Sequence, residues 1–186
     1  MPRSASLFTA FARERLLDAP TPIQHLARLS NSLGVDIHVK RDDLTGLGGG
    51  GNKLRKLEFL LGEALAQGAD TVITVGALQS NHARLTAAVA ARAGLQCELV
   101  LTRSAARDDE DYRHNGNVLL DRLFGARVHA LPAGADGAAF AAARQVDAAP
   151  APFEFRLARS RESGAIGTGR QRMHARAEQP VEQHVA

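Results

Sequence analysis

Gly48-Gly49-Gly50-Gly51-Asn52-Lys53-Leu54-Arg55-Lys56-Leu57-Glu58 sets four glycines directly against a lysine at the start of a helical pattern. A bare glycine run lets the backbone approach a ligand closely and turn its N–H groups toward it. A helix start adds further unpaired N–H groups and the positive end of the helix dipole. Lysine is scarce, with Lys40, Lys53 and Lys56 standing against 20 arginines, so chemistry that needs an amine has few candidates. Lys53 is the one beside the glycines. The same residues also suit a plain loop, with Asn52 as helix cap and Lys53 as an exposed first-turn residue. The pattern is neither a Walker loop nor GxGxxG, so the flanking sequence has to decide.

Downstream, the spacing of Leu54, Leu57, Leu60 or Leu61, and Leu65 predicts one apolar helix face running to Gln67, with Gly68 as its stop. Thr71 to Val75 is a β-branched run suited to a strand buried on both faces. A helix is expected from about His82 to Ala93, a strand over 96–102, and a single helix from the acidic stretch near Asp108 through to Phe124. A strand over 126–131 and an alanine-rich helix from about Asp136 to Val146 follow. Alternating helices and strands predict an α/β fold, an open parallel sheet with flanking helices. Upstream, residues 1–22 read as an irregular lead-in with a short helix. Ile23 to Leu33 has helical spacing, and 36–40 reads as a strand.

Composition narrows the class. A chain of 186 residues with 45% hydrophobic residues can bury a real core, built from aliphatic side chains because Trp is absent and Tyr occurs once. The net charge of +3 comes from dispersed arginines, which argues against a nucleic-acid partner. A single cysteine, Cys97, excludes an internal disulfide and a cysteine-built metal site; its strand-like surroundings predict a packed thiol. No apolar stretch reaches membrane-spanning length and no secretory h-region is visible, so no membrane association is expected and the cytoplasm is the default compartment.

In an open parallel sheet, ligands collect where strands end and helices begin. Two segments fall at such junctions, Gly48–Lys53 and Gly76–His82. In the second, Gln79, Ser80, Asn81 and His82 combine amide, hydroxyl and imidazole groups with free helix N–H groups, which suits a carboxylate, phosphate or phenolate. Ser80 or Asn81 as a simple cap and His82 as a solvated first-turn residue remain the plain alternative.

Three motifs then carry a resemblance: Lys40-Arg41-Asp42-Asp43-Leu44-Thr45-Gly46-Leu47 with the glycine–lysine stretch, Gln79-Ser80-Asn81-His82-Ala83-Arg84, and Asn115-Gly116-Asn117-Val118-Leu119-Leu120-Asp121. Over roughly residues 19 to 147 the chain resembles the D-cysteine desulfhydrase and 1-aminocyclopropane-1-carboxylate deaminase family of pyridoxal-phosphate enzymes. That family has the fold of the tryptophan synthase β subunit, two α/β domains with the cofactor between them. The resemblance implies residues 1–52 as part of an incomplete large domain and 53–147 as the small α/β domain. It implies pyridoxal 5'-phosphate bound covalently to Lys53, with Asn52 and Asn81 as cofactor contacts and Ser80 as the contact for the substrate carboxylate. His82 is similar to the desulfhydrase branch and is expected at the substrate. The implied reaction is α,β-elimination of D-cysteine to pyruvate, sulfide and ammonia. The alternatives are 1-aminocyclopropane-1-carboxylate deamination and L-cysteate sulfo-lyase activity. The implied partners are a small amino-acid substrate and, for a full-length member, a second copy in a homodimer.

The chain departs from the family in length, since members are nearly twice as long and their C-terminal half supplies the phosphate loop and the pyridine-nitrogen partner. Residues 148–186 are rich in Arg, Ala, Gly and Gln and read as an irregular or disordered tail, in the manner of a shifted reading frame. Gly164-Ala165-Ile166-Gly167-Thr168-Gly169 has the composition of a phosphate loop but no strand is expected before it. A catalytically inactive fragment is therefore the reading from another class, and this chain alone is expected to turn over little or no D-cysteine.

Overall fold

The computed structural model describes residues 10–104, 106–107, 109–144 and 155–158. A short antiparallel pair comes first, Ile23–His25 (β1) against His38–Lys40 (β2), with the helix Ala27–Leu33 (α1) between them. The helix expected from Ile23 is therefore replaced at its start by a strand. Leu26 N–H donates to the Ile37 carbonyl at 2.9 Å, and His25 stacks on His38 with ring centroids 4.9 Å apart. These contacts come from residues over ten positions away, and helical spacing in a window of eleven residues cannot register them. Residues 11–22 contain no helix, and the first nine residues lie outside the described chain.

The main body alternates as expected: Leu54–Ala66 (α2), Thr71–Ala77 (β3), Asn81–Ala93 (α3) and Gln96–Thr102 (β4). Next come Glu110–His114 (α4), Asn117–Leu123 (α5), Arg127–Leu131 (β5), Gly137–Arg144 (α6) and Phe155–Ala158 (β6). The sheet order is β5-β4-β3-β6, with β3, β4 and β5 mutually parallel and β6 antiparallel to β3. β6 is a correction: residues 155–158 belong to the segment expected to be irregular, yet their backbone pairs with Thr71–Thr74. The rest of that tail, with its glycine-rich Gly164–Gly169, lies outside the described residues.

Alternating side chains of the central strands feed two cores. Val72, Leu99 and Leu101 join Leu54, Leu57, Leu61, Leu85, Val89 and Val118 on one face, whereas Ile73 and Val100 pack with Ala141 on the other. This places helices on both faces of the sheet and explains why β3 and β4 read as continuous apolar runs. Within α2 the buried face is Leu54, Leu57, Leu61 and Ala64, and Leu65, expected on it, is 41% exposed. Cys97 is buried, and that burial pushes its thiol up to about 12, consistent with a packed, unreactive side chain.

The helix expected over 108–124 is two helices. Asn115 ends α4 in an extended conformation, and Gly116 adopts φ 64° and ψ −130° before α5 begins. The cause is tertiary. Gln79 occupies the break: its amide donates to the Tyr112 and Asn115 carbonyls at 2.7 and 2.8 Å, while its carbonyl oxygen accepts from Asn117 N–H at 2.9 Å. A Cβ on Gly116 would sit 2.7 Å from Gln79 Oε1, so glycine is required there by space as well as by φ.

Candidate active site

The lysine at position 53 sits at the junction between the glycine strap and α2, where it occupies the N-cap position in place of the expected Asn52 and supplies no side-chain cap bond. The helix is oriented instead from its later residues. Arg55 donates through Nε and Nη2 to Asp42 at 2.9 and 2.6 Å, and Thr21 Oγ1 donates to the same carboxylate at 2.8 Å. These bonds hold Asp42 well below the ordinary carboxylate range. One turn on, buried Glu58 accepts the backbone N–H groups of Leu16 and Leu17 at 2.9 and 3.1 Å and the Arg13 guanidinium at 2.5 Å. Arg55 and Glu58 thus tie the lead-in segment to the helix that carries Lys53, a role that sequence reasoning did not assign.

Two of the strap's N–H groups, expected to face a ligand, bind the protein instead. Gly50 N–H donates to the Leu47 carbonyl at 3.1 Å, and Gly51 N–H donates to the Asp42 carbonyl and Thr45 Oγ1 at 2.9 and 2.8 Å. The carbonyls of Gly48 and Gly50 accept from the Arg84 guanidinium, the second at 3.0 Å. Gly48 to Gly51 all have positive φ, between 63° and 136°. The strap lies so close to α3 that a Cβ on Gly48 would come within 2.6 Å of the Ala88 Cβ. Glycine serves here for close approach to the neighbouring helix.

Gly50→Ala is expected to destabilise the fold by about 3 kcal/mol, combining a left-handed backbone with overpacking. The new Cβ would lie 2.3 Å from the Asp43 carbonyl oxygen and 2.7 Å from that of Thr45. Gly34→Ala is the control, because φ is 69° there but nothing lies within 4 Å, so only the backbone term of about 1 kcal/mol applies. Urea unfolding of the two variants reads the difference, and equal midpoints would rule out the close contact.

The strap meets the second junction. A Cβ built on Gly51 would be 4.0 Å from the Asn81 amide nitrogen and 3.2 Å from Leu85. Asn81 is exposed and begins α3, and Ser80 caps that helix, its hydroxyl oxygen accepting from Ala83 N–H at 3.3 Å. Ser80 itself fits because Gly76 has no side chain, a Cβ there falling 3.1 Å from the serine Cβ and Oγ. Asn52, Lys53, Ser80 and Asn81 are partly or fully exposed, the last two at the edge where β3 ends. Among the described residues no hydrogen bond or ion pair engages the Lys53 amine. Lys40 differs, its amine donating to the Thr21 carbonyl.

His82 departs from both readings made of it. The ring is buried, 5% exposed, with Nε2 3.2 Å from Thr74 Oγ1 on β3. It is thus neither solvated nor presented beside Ser80 and Asn81, because α3 turns position 82 toward the sheet while position 81 faces outward. Gln79 brings the third motif to the same edge, its backbone carbonyl accepting from the Asn117 amide at 2.8 Å. Asp121, at the end of that motif, is fully buried, and neither carboxylate oxygen has a hydrogen-bond partner among the described residues. Burial pushes its carboxyl up to about 7, against attraction from the Arg84 and Arg122 guanidiniums. Arg84 in turn is lowered from its ordinary value by burial, partly offset by Asp121.

Residues 15–163 match a family described as pyridoxal-phosphate dependent enzyme. A D-cysteine desulfhydrase of Klebsiella pneumoniae subsp. pneumoniae is 54% identical over 131 residues, covering 70% of this chain and 40% of the relative. The chain therefore spans about two fifths of the length of that curated relative. Among solved structures, an ACC deaminase homologue superposes with a TM-score of 0.66 at 44% identity, over 74% of this chain and 41% of its own. O-ureido-L-serine synthase shares the fold at a TM-score of 0.52 and 24% identity, over 67% of this chain and 38% of its own.

Proposed function

This chain belongs to the pyridoxal-phosphate dependent enzymes, and we propose that it is the lysine-bearing part of a lyase that eliminates sulfide from D-cysteine. The observation that carries the reading is the meeting of the strap ending in Lys53 with the exposed start of α3 at Ser80 and Asn81, where a Cβ on Gly51 would already touch Asn81. The residues fit the group: an unengaged amine and two exposed amides border the same edge, and glycine keeps the backbone between them low. Lys53 would hold pyridoxal 5'-phosphate covalently, with Asn81 and Asn52 as its hydrogen-bonding contacts. Bound there, the cofactor supplies an electron sink for bond breaking at the substrate Cα.

The chain's own residues do the rest. Ser80 orients the substrate carboxylate through its hydroxyl, which α3 holds at the helix start where anions are favoured. Lys53 Nζ would take the proton from the substrate Cα as general base. His82 joins the start of α3 to β3 through Thr74. Loss of sulfide from Cβ and addition of water then give pyruvate and ammonia. In this reading residues 53–147 form the small domain, residues 1–52 contribute to the larger one, and the whole protein pairs as a homodimer.

D-cysteine is favoured over 1-aminocyclopropane-1-carboxylate by the 54% identity to a D-cysteine desulfhydrase, and the ACC deaminase homologue keeps the second substrate as the runner-up. The test is a chimera in which residues 15–144 replace the matching segment of the curated desulfhydrase. The chimera is expected to release sulfide and pyruvate from D-cysteine with saturation, whereas the 186-residue chain alone stays at the background of free cofactor. A folded chimera that deaminates only 1-aminocyclopropane-1-carboxylate moves the assignment to the runner-up. One inactive on both overturns it.

A further inference from the structure

Arg84 lies three residues beyond Asn81 on α3, close to the same helix face, and is 8% exposed. Its two terminal nitrogens reach separate carbonyls of the strap, Nη1 to Gly48 and Nη2 to Gly50. Those carbonyls lie five and three residues before Lys53, and a Cβ on Gly49 would meet Nη1 at 2.9 Å, so the strap folds around the guanidinium. A planar fork with fixed donor directions can hold two carbonyls at a set spacing, which a single ammonium cannot do. The buried carboxyl of Asp121 attracts the guanidinium when it is ionised.

We propose that Arg84 is the positioning residue that fixes Lys53 relative to Asn81, by clamping the Gly48 and Gly50 carbonyls to the helix that Asn81 begins. The lysine follows a run of four glycines, whose backbone is intrinsically permissive, and the other anchor of its final residues, Asp42 with Thr45, holds Gly51 to the turn after β2, not to α3. Arg84 is thus a polar link between the two halves of the site. The inference rests on the reading of Lys53 as the cofactor lysine.

Two variants test it. Arg84→Lys keeps a positive charge near Asp121 but loses the fork. The double variant Arg84→Met with Asp121→Asn removes the guanidinium and the buried carboxyl together, so neither ionisable group is left without the other. Hydrogen exchange at the Gly50 and Gly51 amides needs no cofactor and is expected to accelerate about tenfold in both variants, with α3 unchanged. Borohydride fixation of pyridoxal phosphate followed by peptide mapping gives the ratio of label on Lys53 to label on Lys56, expected to fall about tenfold in both. A purely structural role would lower the unfolding midpoint and leave that ratio alone. Wild-type label on Lys53, with ratio and exchange unchanged in the folded variants, overturns the clamp only. Wild-type label mainly on Lys56 or Lys40 overturns the cofactor reading and the clamp with it.

Discussion

Lys53→Ala is expected to abolish site-specific fixation of pyridoxal phosphate, leaving the low label that any surface lysine acquires. Three lysines compete, and the structure separates them. The Lys40 amine is engaged with the Thr21 carbonyl. Lys56 lies three residues along α2 from Lys53 and so nearly shares its direction, but it is a turn farther along the helix from the strap. Lys53 alone combines an unengaged amine with the end of the clamped glycine run. An imine forms faster where the phosphate-bearing aldehyde is held against the amine, so the loss should be on the order of tenfold or more in label per chain. Lys56→Ala is the control and should keep most of it. Label retained in Lys53→Ala and lost in Lys56→Ala would transfer the role one turn along the helix.

Asp121→Asn should remove a pH dependence of stability that runs opposite to that of the other shifted carboxylates. Its folded-state value of about 7 stands above the ordinary value of 3.8, so between these the native protein holds a proton that the unfolded chain has lost. Stability from this group is therefore undiminished below pH 3.8, falls as pH rises toward 7, and levels off above. Fully developed, the penalty is on the order of 4 kcal/mol. Asp42, Glu58 and Asp109 have the contrary sign: all are lowered, so they lose stability only as pH falls through their folded values at the acid end. The difference in urea unfolding free energy between Asp121→Asn and the parent should thus grow in favour of the variant from pH 4 to 7. A flat difference across that range would mean that the buried carboxyl is ionised throughout.

The amino-acid sequence determined the alternation of β3, α3, β4 and β5, because long apolar runs, glycine stops and caps such as Ser80 are local signals that survive in any packing. It also placed Ser80 and Asn81 at a strand-to-helix junction and Lys53 at a helix start, although a glycine strap and not a strand precedes the lysine, and through three motifs it indicated the family that the comparisons then supplied. What it did not contain was the partner of each polar group. The break at Gly116 depends on Gln79, 37 positions earlier in the chain. The strand at Ile23 depends on His38 and Lys40, and the one at Phe155 on the free edge of β3. The glycine run could equally have offered its N–H groups to a ligand or its carbonyls to the protein, since Gly permits both. Arg84, which sequence treated as part of a motif and nothing more, made that choice by setting a buried guanidinium beside the strap, its two terminal nitrogens taking the Gly48 and Gly50 carbonyls while Nε has no partner among the described residues. His82 turned inward for the same kind of reason, its helix setting one residue toward the sheet and the next toward solvent. Periodicity fixes which elements form; only the packing of one against another decides which way their polar atoms face.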